Sequence, residues 1–121
     1  MTDAYWCVLI SALMPYLWVM ISKKRKDYDN SAPRAGISQL PPLQQRAFWA
    51  HQNAFEAFAP FAAAVIIAHL RQAPEDSVAL CAGIFVIARL GYGFAYLANR
   101  PNIRSGMWFI GFGSMVALFF V

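Results

Sequence analysis

The chain has 121 residues, of which 60% are apolar and 13% are charged, and its formal net charge is +4. A soluble domain carries about 25% charged residues, so this composition excludes an ordinary water-soluble fold and indicates a protein surrounded by lipid. A membrane helix needs about 20 apolar residues, which leaves room for four crossings and no further domain. We therefore predict an all-α integral membrane protein, a four-helix transmembrane bundle that forms one domain over residues 1–121.

Helix 1 is predicted over residues 4–22, and a basic loop follows it over about residues 23–42. Six of the ten lysines and arginines lie between the first two apolar segments: Lys23, Lys24, Arg25, Lys26, Arg34 and Arg46. Under the positive-inside rule this cluster marks a cytoplasmic loop rather than a surface for nucleic acid, which we do not expect as a partner. Because no basic segment precedes helix 1, we expect helix 1 to be retained and both termini to lie outside.

The remaining helices are predicted over residues 43–70, 77–98 and 103–121, with a cytoplasmic turn at about 99–102. The four tryptophans, Trp6, Trp18, Trp49 and Trp108, fall near the predicted helix ends, where aromatic side chains anchor proteins at the membrane interface. His51 and His69 are 18 residues apart on one helix, about 27 Å, so they cannot share a metal ion. No metal site is expected.

Polar residues line one face of helix 2 and one face of helix 3, at helical spacing. They are Arg46, Asn53 and Glu56 on helix 2, and Arg89, Tyr92 and Tyr96 on helix 3. Ionisable residues at membrane depth cost several kcal/mol and mark functional sites. An ion pair between Glu56 and Arg89 would relieve the desolvation of both. One interpretation is that this pair serves only to hold the two helices together, which accounts for Glu56 and Arg89 alone. A polar cavity open to the cytosol accounts for all of these polar residues.

Arg104 and Ser105 lie in the first turn of helix 4, just after Pro101. A helix N-terminus offers free N–H groups and a partial positive charge, to which Arg104 adds a permanent cation and Ser105 a hydroxyl. A thiolate would be stabilised there over a thiol, whose ordinary pKa is about 8.5.

The order and spacing of these residues resemble the MAPEG family, the membrane-associated proteins of eicosanoid and glutathione metabolism. The motifs are Arg46-x6-Asn53-x2-Glu56-x3-Pro60, then Arg89-x2-Tyr92-x3-Tyr96, followed by Arg104-Ser105. The resemblance extends over about residues 4–121 and is to bacterial members similar to microsomal glutathione transferases. It implies a homotrimer in a bacterial inner membrane, with glutathione bound as co-substrate between subunits on the cytoplasmic side.

The resemblance also implies a role for each matching residue. Asn53 and Glu56 would hold the tripeptide, while Arg89 would support Glu56 or a carboxylate. The other expected ligand-binding residues are Arg46, Tyr92 and Tyr96, with Arg104 and Ser105 as the catalytic pair that stabilises the thiolate. Lys23, Lys24 or Arg25 would reach a glutathione carboxylate. The activity implied is that of a glutathione transferase or peroxidase acting on a lipophilic small molecule from the bilayer.

Two departures leave other functions open. Several catalytic members of the family carry an arginine where Trp49 or Gln52 stands here, and one synthase branch has a tyrosine in place of Trp108. A non-catalytic protein that binds lipid or acts as a scaffold on the same fold is therefore the alternative. A small multidrug exporter is a further one, although such exporters need a carboxylate that this helix 1 lacks between Asp3 and Lys23.

Overall fold

Four antiparallel helices make up the computed structural model, which describes all residues from 1 to 121. The helices are α1 (Asp3–Lys23), α2 (Pro42–Leu70), α3 (Glu75–Leu97) and α4 (Pro101–Ala117), with a short 3-10 helix at Ile37–Gln39. The all-helical fold class is confirmed, and α1, α2 and α3 are each long and apolar enough to cross a membrane. The helix predicted over 103–121 ends earlier than expected, because α4 stops at Ala117 and a turn follows it.

Local sequence explains where the helices begin and end. The Thr2 hydroxyl accepts from the backbone N–H of Tyr5 and caps α1. Pro42 and Pro101 occupy the first positions of α2 and α4, where a missing N–H costs nothing. After α2 and α3 the chain turns through Gln72 and Asn99, whose φ angles of 58° and 54° are left-handed, as is common just past a helix C-terminus.

Side-chain bonds at both ends of the bundle show the up-and-down order of the helices. At one end the Gln44 amide donates to the Lys24 carbonyl at 2.9 Å, joining the start of α2 to the end of α1. At the other end Thr2 and His69 meet at 3.2 Å, joining the start of α1 to the end of α2. We call these the loop end and the termini end.

Small residues let the helices pack closely along their length. Ala47, Ala50, Ala64, Ala68 and Ala82 are completely buried, as expected where helix backbones approach one another in a membrane protein. Several large apolar residues of α1, among them Leu9, Leu13, Leu17 and Met20, instead point outward. The exterior of this bundle therefore suits lipid rather than water.

Trp18 is not an interfacial anchor, which corrects one prediction from the sequence. It is 1% exposed and lies edge-on against Phe94, with ring centroids 5.3 Å apart. A Cβ atom added at Gly93 would overlap its indole ring. The glycine on α3 thus provides the space that accepts a tryptophan from α1, a match that neither helix reveals alone.

Candidate functional site

The polar residues of α2, α3 and α4 form one open surface at the loop end. We call it the polar cleft. It consists of two adjoining cavities of about 250 and 330 Å³. The lining residues are Trp49, Gln52, Asn53, Glu56, Tyr92, Tyr96, Arg104, Ser105, Trp108 and Phe109.

Asn53 connects the two charged residues that were expected to pair directly. The Arg89 guanidinium donates from Nη2 to Asn53 Oδ1 at 2.7 Å, and Asn53 Nδ2 donates to Glu56 Oε2 at 3.0 Å. The expected Glu56–Arg89 ion pair is absent, since the one ion pair in the chain within 4.0 Å joins Arg25 and Asp27. Arg89 and Glu56 both retain hydrogen-bonding capacity as a result.

Two arginine–tyrosine pairs run along the site. The Arg89 guanidinium carbon lies 4.2 Å from the centre of the Tyr92 ring, and that of Arg104 lies 4.7 Å from the Tyr96 ring. The two rings meet edge to face at 5.6 Å. Each cation is held by an aromatic face rather than by a carboxylate, so its charge remains available to an anion.

Beyond Asn53 and Trp108, the cleft opens into a more apolar cavity of about 340 Å³ between α2, α3 and α4. We call it the aromatic chamber; its lining residues are Asn53, Glu56, Ala57, Pro60, Phe85, Arg89, Trp108, Phe112 and Met115. Trp108 and Phe112 stack in parallel at 5.0 Å, and Phe85 stacks on the buried Phe61 at 3.9 Å. The chamber has flat walls and one buried cation, Arg89.

Arg46 lies at the edge of the site rather than in the cleft. Its guanidinium donates to the carbonyl of Leu97 at 3.3 and 3.4 Å and so satisfies the end of α3. It also lines a small cavity of about 130 Å³ together with Arg100 and Arg104. Arg46 therefore adjoins the site through Tyr96 and Arg104, which line the same small cavity, but it lines neither cavity of the polar cleft.

A separate loop cavity of about 630 Å³ lies between the end of α1, the basic loop and α2. It is lined by Lys23 and Arg34 and, on α2, by His51 and Gln52. Arg25 is engaged elsewhere, because its guanidinium donates to the Ala35 carbonyl at 3.0 Å. Of the three basic residues predicted to bind a carboxylate, Lys23 therefore has the clearest access to a cavity.

Two kinds of site residue were missed in the sequence. Trp108 was interpreted as a membrane anchor, yet it borders both the cleft and the chamber. Its position four residues after Arg104, with Phe112 four further on, places all three on one face of α4 and could have indicated this role. Ala57 and Phe85 carry no such signal, because apolar residues of a membrane helix look alike in sequence.

The arrangement can hold a small polar molecule with an anionic atom near Arg104 and an apolar group in the chamber. No group of three or more His, Cys, Asp or Glu side chains could hold a metal ion. The charged atoms that would act on a ligand are therefore the two arginines and Glu56.

Comparison with known proteins adds one finding. A family model described as the MAPEG family matches residues 3–121, nearly the whole chain. No curated protein and no solved structure matches the chain.

Proposed function

The chain belongs to the MAPEG family, and we propose that it is a membrane-bound glutathione transferase or peroxidase that acts on lipophilic electrophiles or hydroperoxides. The family includes glutathione transferases and also members that are not enzymes. The choice between them depends on whether the polar cleft can bind glutathione and ionise its thiol.

The observation that carries this proposal is the position of Arg104. It lies in the first turn of α4, its guanidinium rests on the Tyr96 ring, and no carboxylate neutralises it within 4.0 Å. The Ser105 hydroxyl is exposed beside it and can donate to sulfur. A cation and a helix N-terminus both favour a thiolate over a thiol, and each unit of lowered thiol pKa corresponds to about 1.4 kcal/mol.

Asn53 and Glu56 provide the polar contacts for the peptide part of glutathione. One oxygen of Glu56 accepts from Asn53, while the exposed carboxylate keeps room for an ammonium or amide donor of the ligand. Tyr92 and Tyr96 form the wall between these groups and Arg104. We propose that the tripeptide lies along this wall with its sulfur toward α4.

The cleft is open at the surface of a single chain, so a neighbouring subunit of the homotrimer that the family implies has access to it. Lys23 and Arg34 line a cavity on the α1 side of α2, whereas the cleft lies on the α3 and α4 side. Of the two acids in this loop, Asp27 pairs with Arg25. Asp29 is already bonded by the backbone N–H and hydroxyl of Ser31, which lowers its pKa. We propose that Lys23 reaches a glutathione carboxylate on a neighbouring subunit.

The proposed topology places the site at the cytoplasmic face of a bacterial inner membrane. The basic loop and the α3–α4 turn would be inside, and both termini outside. This requires α4 to cross as well. Its 17 residues span about 26 Å, near the lower limit for a membrane helix.

The proposed reaction begins when glutathione binds and its thiol proton passes to the solvent, to which the cleft is open. Arg104 and Ser105 hold the thiolate, and an apolar acceptor enters from the bilayer to meet it. Positioning and electrostatic stabilisation provide the rate enhancement, so no further cofactor is needed.

A non-catalytic lipid-binding protein is the second candidate. Trp49 is 46% exposed and lines two of the cavities at the site, in a position where catalytic relatives are expected to carry an arginine. A large apolar ring there favours an apolar ligand over a carboxylate. The two candidates differ in whether the site ionises a thiol.

Glutathione binding to purified protein in detergent tests the proposal. We expect saturable binding with thiolate absorbance near neutral pH, and loss of that absorbance in Arg104→Ala. Arg71→Ala is the matched control, because Arg71 bonds the carbonyl of Phe119 at the termini end. No binding at millimolar glutathione would overturn the transferase proposal and favour the lipid-binding alternative.

A further inference from the structure

Three arginines line one small cavity at the loop end of the bundle. The cavity, of about 130 Å³, lies where Arg46 of α2 meets Arg100 and Arg104 at the start of α4. We call it the arginine cavity. No acid lines it, and none lines the cavity of the polar cleft that Arg104 also borders. Three positive charges therefore lie together without a negative one, which is unfavourable until an anion joins them.

The three guanidiniums keep donors free for such an anion. Arg46 directs Nε and Nη2 to the Leu97 carbonyl, which fixes its position and leaves Nη1 unused. Arg104 is held by the face of the Tyr96 ring, and neither it nor Arg100 has a carboxylate within 4.0 Å. A guanidinium has five N–H donors in a planar fork that matches the oxygens of a phosphate group.

The start of α4 adds to the same positive field. Arg100 is the N-cap residue of this helix, and no side chain caps the helix end. Pro101, the first residue of α4, lines the arginine cavity. The free N–H groups and the partial positive charge of a helix N-terminus favour an anion in this position. The backbone and the three side chains therefore select for the same kind of ligand.

We propose that the arginine cavity binds a phosphate group and that its occupation weakens the thiolate held by Arg104. Sites for drug-sized ligands begin at about 300 Å³, so a cavity of about 130 Å³ suits a compact oxyanion rather than a peptide. Free phosphate and a lipid headgroup both present this group. The proposed topology places the cavity at the cytoplasmic headgroups, where basic pockets between membrane helices bind anionic lipids.

Arg104 connects the arginine cavity to the polar cleft, because it lines both. A phosphate on one side offsets the positive charge that stabilises a thiolate on the other. Coupling between two sites is typically 5-fold or more and is reciprocal. We therefore expect phosphate to lower the ionisation constant of bound glutathione about 5-fold, and the thiolate to weaken phosphate binding by the same factor. This coupling rests on the proposed function, whereas phosphate binding to the ligand-free protein does not.

Calorimetry on the full chain in detergent, at constant ionic strength, tests binding without glutathione. Inorganic phosphate is one ligand. Dioctanoyl phosphatidic acid is the other, with dioctanoylglycerol as its control without phosphate. Saturable binding of inorganic phosphate would identify free phosphate as a sufficient ligand, and binding of phosphatidic acid alone would identify a lipid headgroup. If neither binds, the inference is overturned.

Arg100→Gln tests the location. Arg100 is exposed, and its loss should raise the dissociation constant of phosphate about 3- to 5-fold, the range of an exposed ion pair. Arg100→Lys keeps the charge and should retain most of the affinity. Lys26→Gln is the matched control, because it removes one exposed charge from the basic loop at the same end of the bundle. Equal affinities of Arg100→Gln and Lys26→Gln would overturn the arginine cavity as the site.

The coupling is tested with glutathione and S-methylglutathione, which has no ionisable thiol. Phosphate should lower the thiolate absorbance of bound glutathione, and it should bind about 5-fold more tightly beside S-methylglutathione than beside the thiolate. Direct competition between phosphate and S-methylglutathione would place phosphate in the polar cleft and overturn the inference. Thiolate absorbance that saturating phosphate leaves unchanged would overturn the coupling. Absence of thiolate in the unmodified protein would instead overturn the transferase proposal, and phosphate binding would be unaffected.

Discussion

Two polar clusters that include residues of α2 differ in how completely the chain satisfies them. At the termini end, His69 donates from Nδ1 to the Val65 carbonyl at 2.9 Å, contacts the Thr2 hydroxyl through Nε2 at 3.2 Å, and stacks on Tyr5 at 4.4 Å. Both ring nitrogens are used. Arg89, on α3 and nearer the other end of the bundle, makes one hydrogen bond, to Asn53, and lines a cavity.

This difference separates polar residues that hold helices together from those that serve a ligand. A closed cluster such as that of His69 has no capacity left for another molecule. The cluster of Asn53, Glu56 and Arg89 has unused donors and acceptors beside open cavities, which is costly unless a ligand completes it. We therefore expect substitutions at the two clusters to act on different properties.

The largest loss of stability is expected at the contact between α1 and α3, where Trp18 packs against Gly93. In Gly93→Ala the new Cβ would overlap Trp18, and overpacking of this kind costs up to about 3 kcal/mol. Thermal unfolding in detergent measures it. Gly83→Ala is the matched control on the same helix, since nothing lies within 4 Å of a Cβ there. Equal stability of the two variants would contradict the packing described for Trp18.

The next largest effect is expected at the cluster of Asn53, Glu56 and Arg89, which we call the open cluster. Asn53→Leu removes the acceptor of Arg89 and the donor to Glu56, and an unsatisfied buried group costs about 2 kcal/mol. Glutathione affinity should fall as well, which calorimetry can measure. Asn102→Leu, an exposed position in the first turn of α4, is the control. A loss of stability with unchanged glutathione affinity would make the open cluster equivalent to the closed one.

The smallest effect is expected at the closed cluster of Thr2, Tyr5 and His69. Thr2→Val removes the cap of α1 and the contact with His69, and loss of such a cap costs about 1 kcal/mol. Glutathione binding should not change, because the site lies toward the other end of the bundle. Thr2→Ser keeps the hydroxyl and should keep the stability. A change in glutathione affinity in Thr2→Val would show that the two clusters are coupled.

Much of the fold could be predicted because apolar runs of membrane length allow few other structures. Backbone groups in lipid must bond within their own segment, so a run such as 77–98 has to be helical. The bounds of α4 were less predictable. Its last residues are as apolar as the rest, and no sequence signal marks the turn after Ala117.

The site could be predicted in part, for a related reason. Helical periodicity places Arg89, Tyr92 and Tyr96 on one face of α3 whatever the neighbouring helices do. It does not say how far a side chain on α2 lies from one on α3. The predicted Glu56–Arg89 ion pair was wrong for this reason, since Asn53 lies between the two groups.

By itself, the sequence determined that the protein is helical and largely apolar, that its first loop is basic, and which polar residues share a helix face. These properties follow from composition and from the 3.6-residue period, which act within one segment. Only the tertiary structure decided that Trp18 fills the space above Gly93, that Trp108 joins the cleft to the chamber, and that Arg89 faces a cavity without an ionic partner. Those outcomes depend on the distances and rotations between helices, which close packing of many side chains determines together.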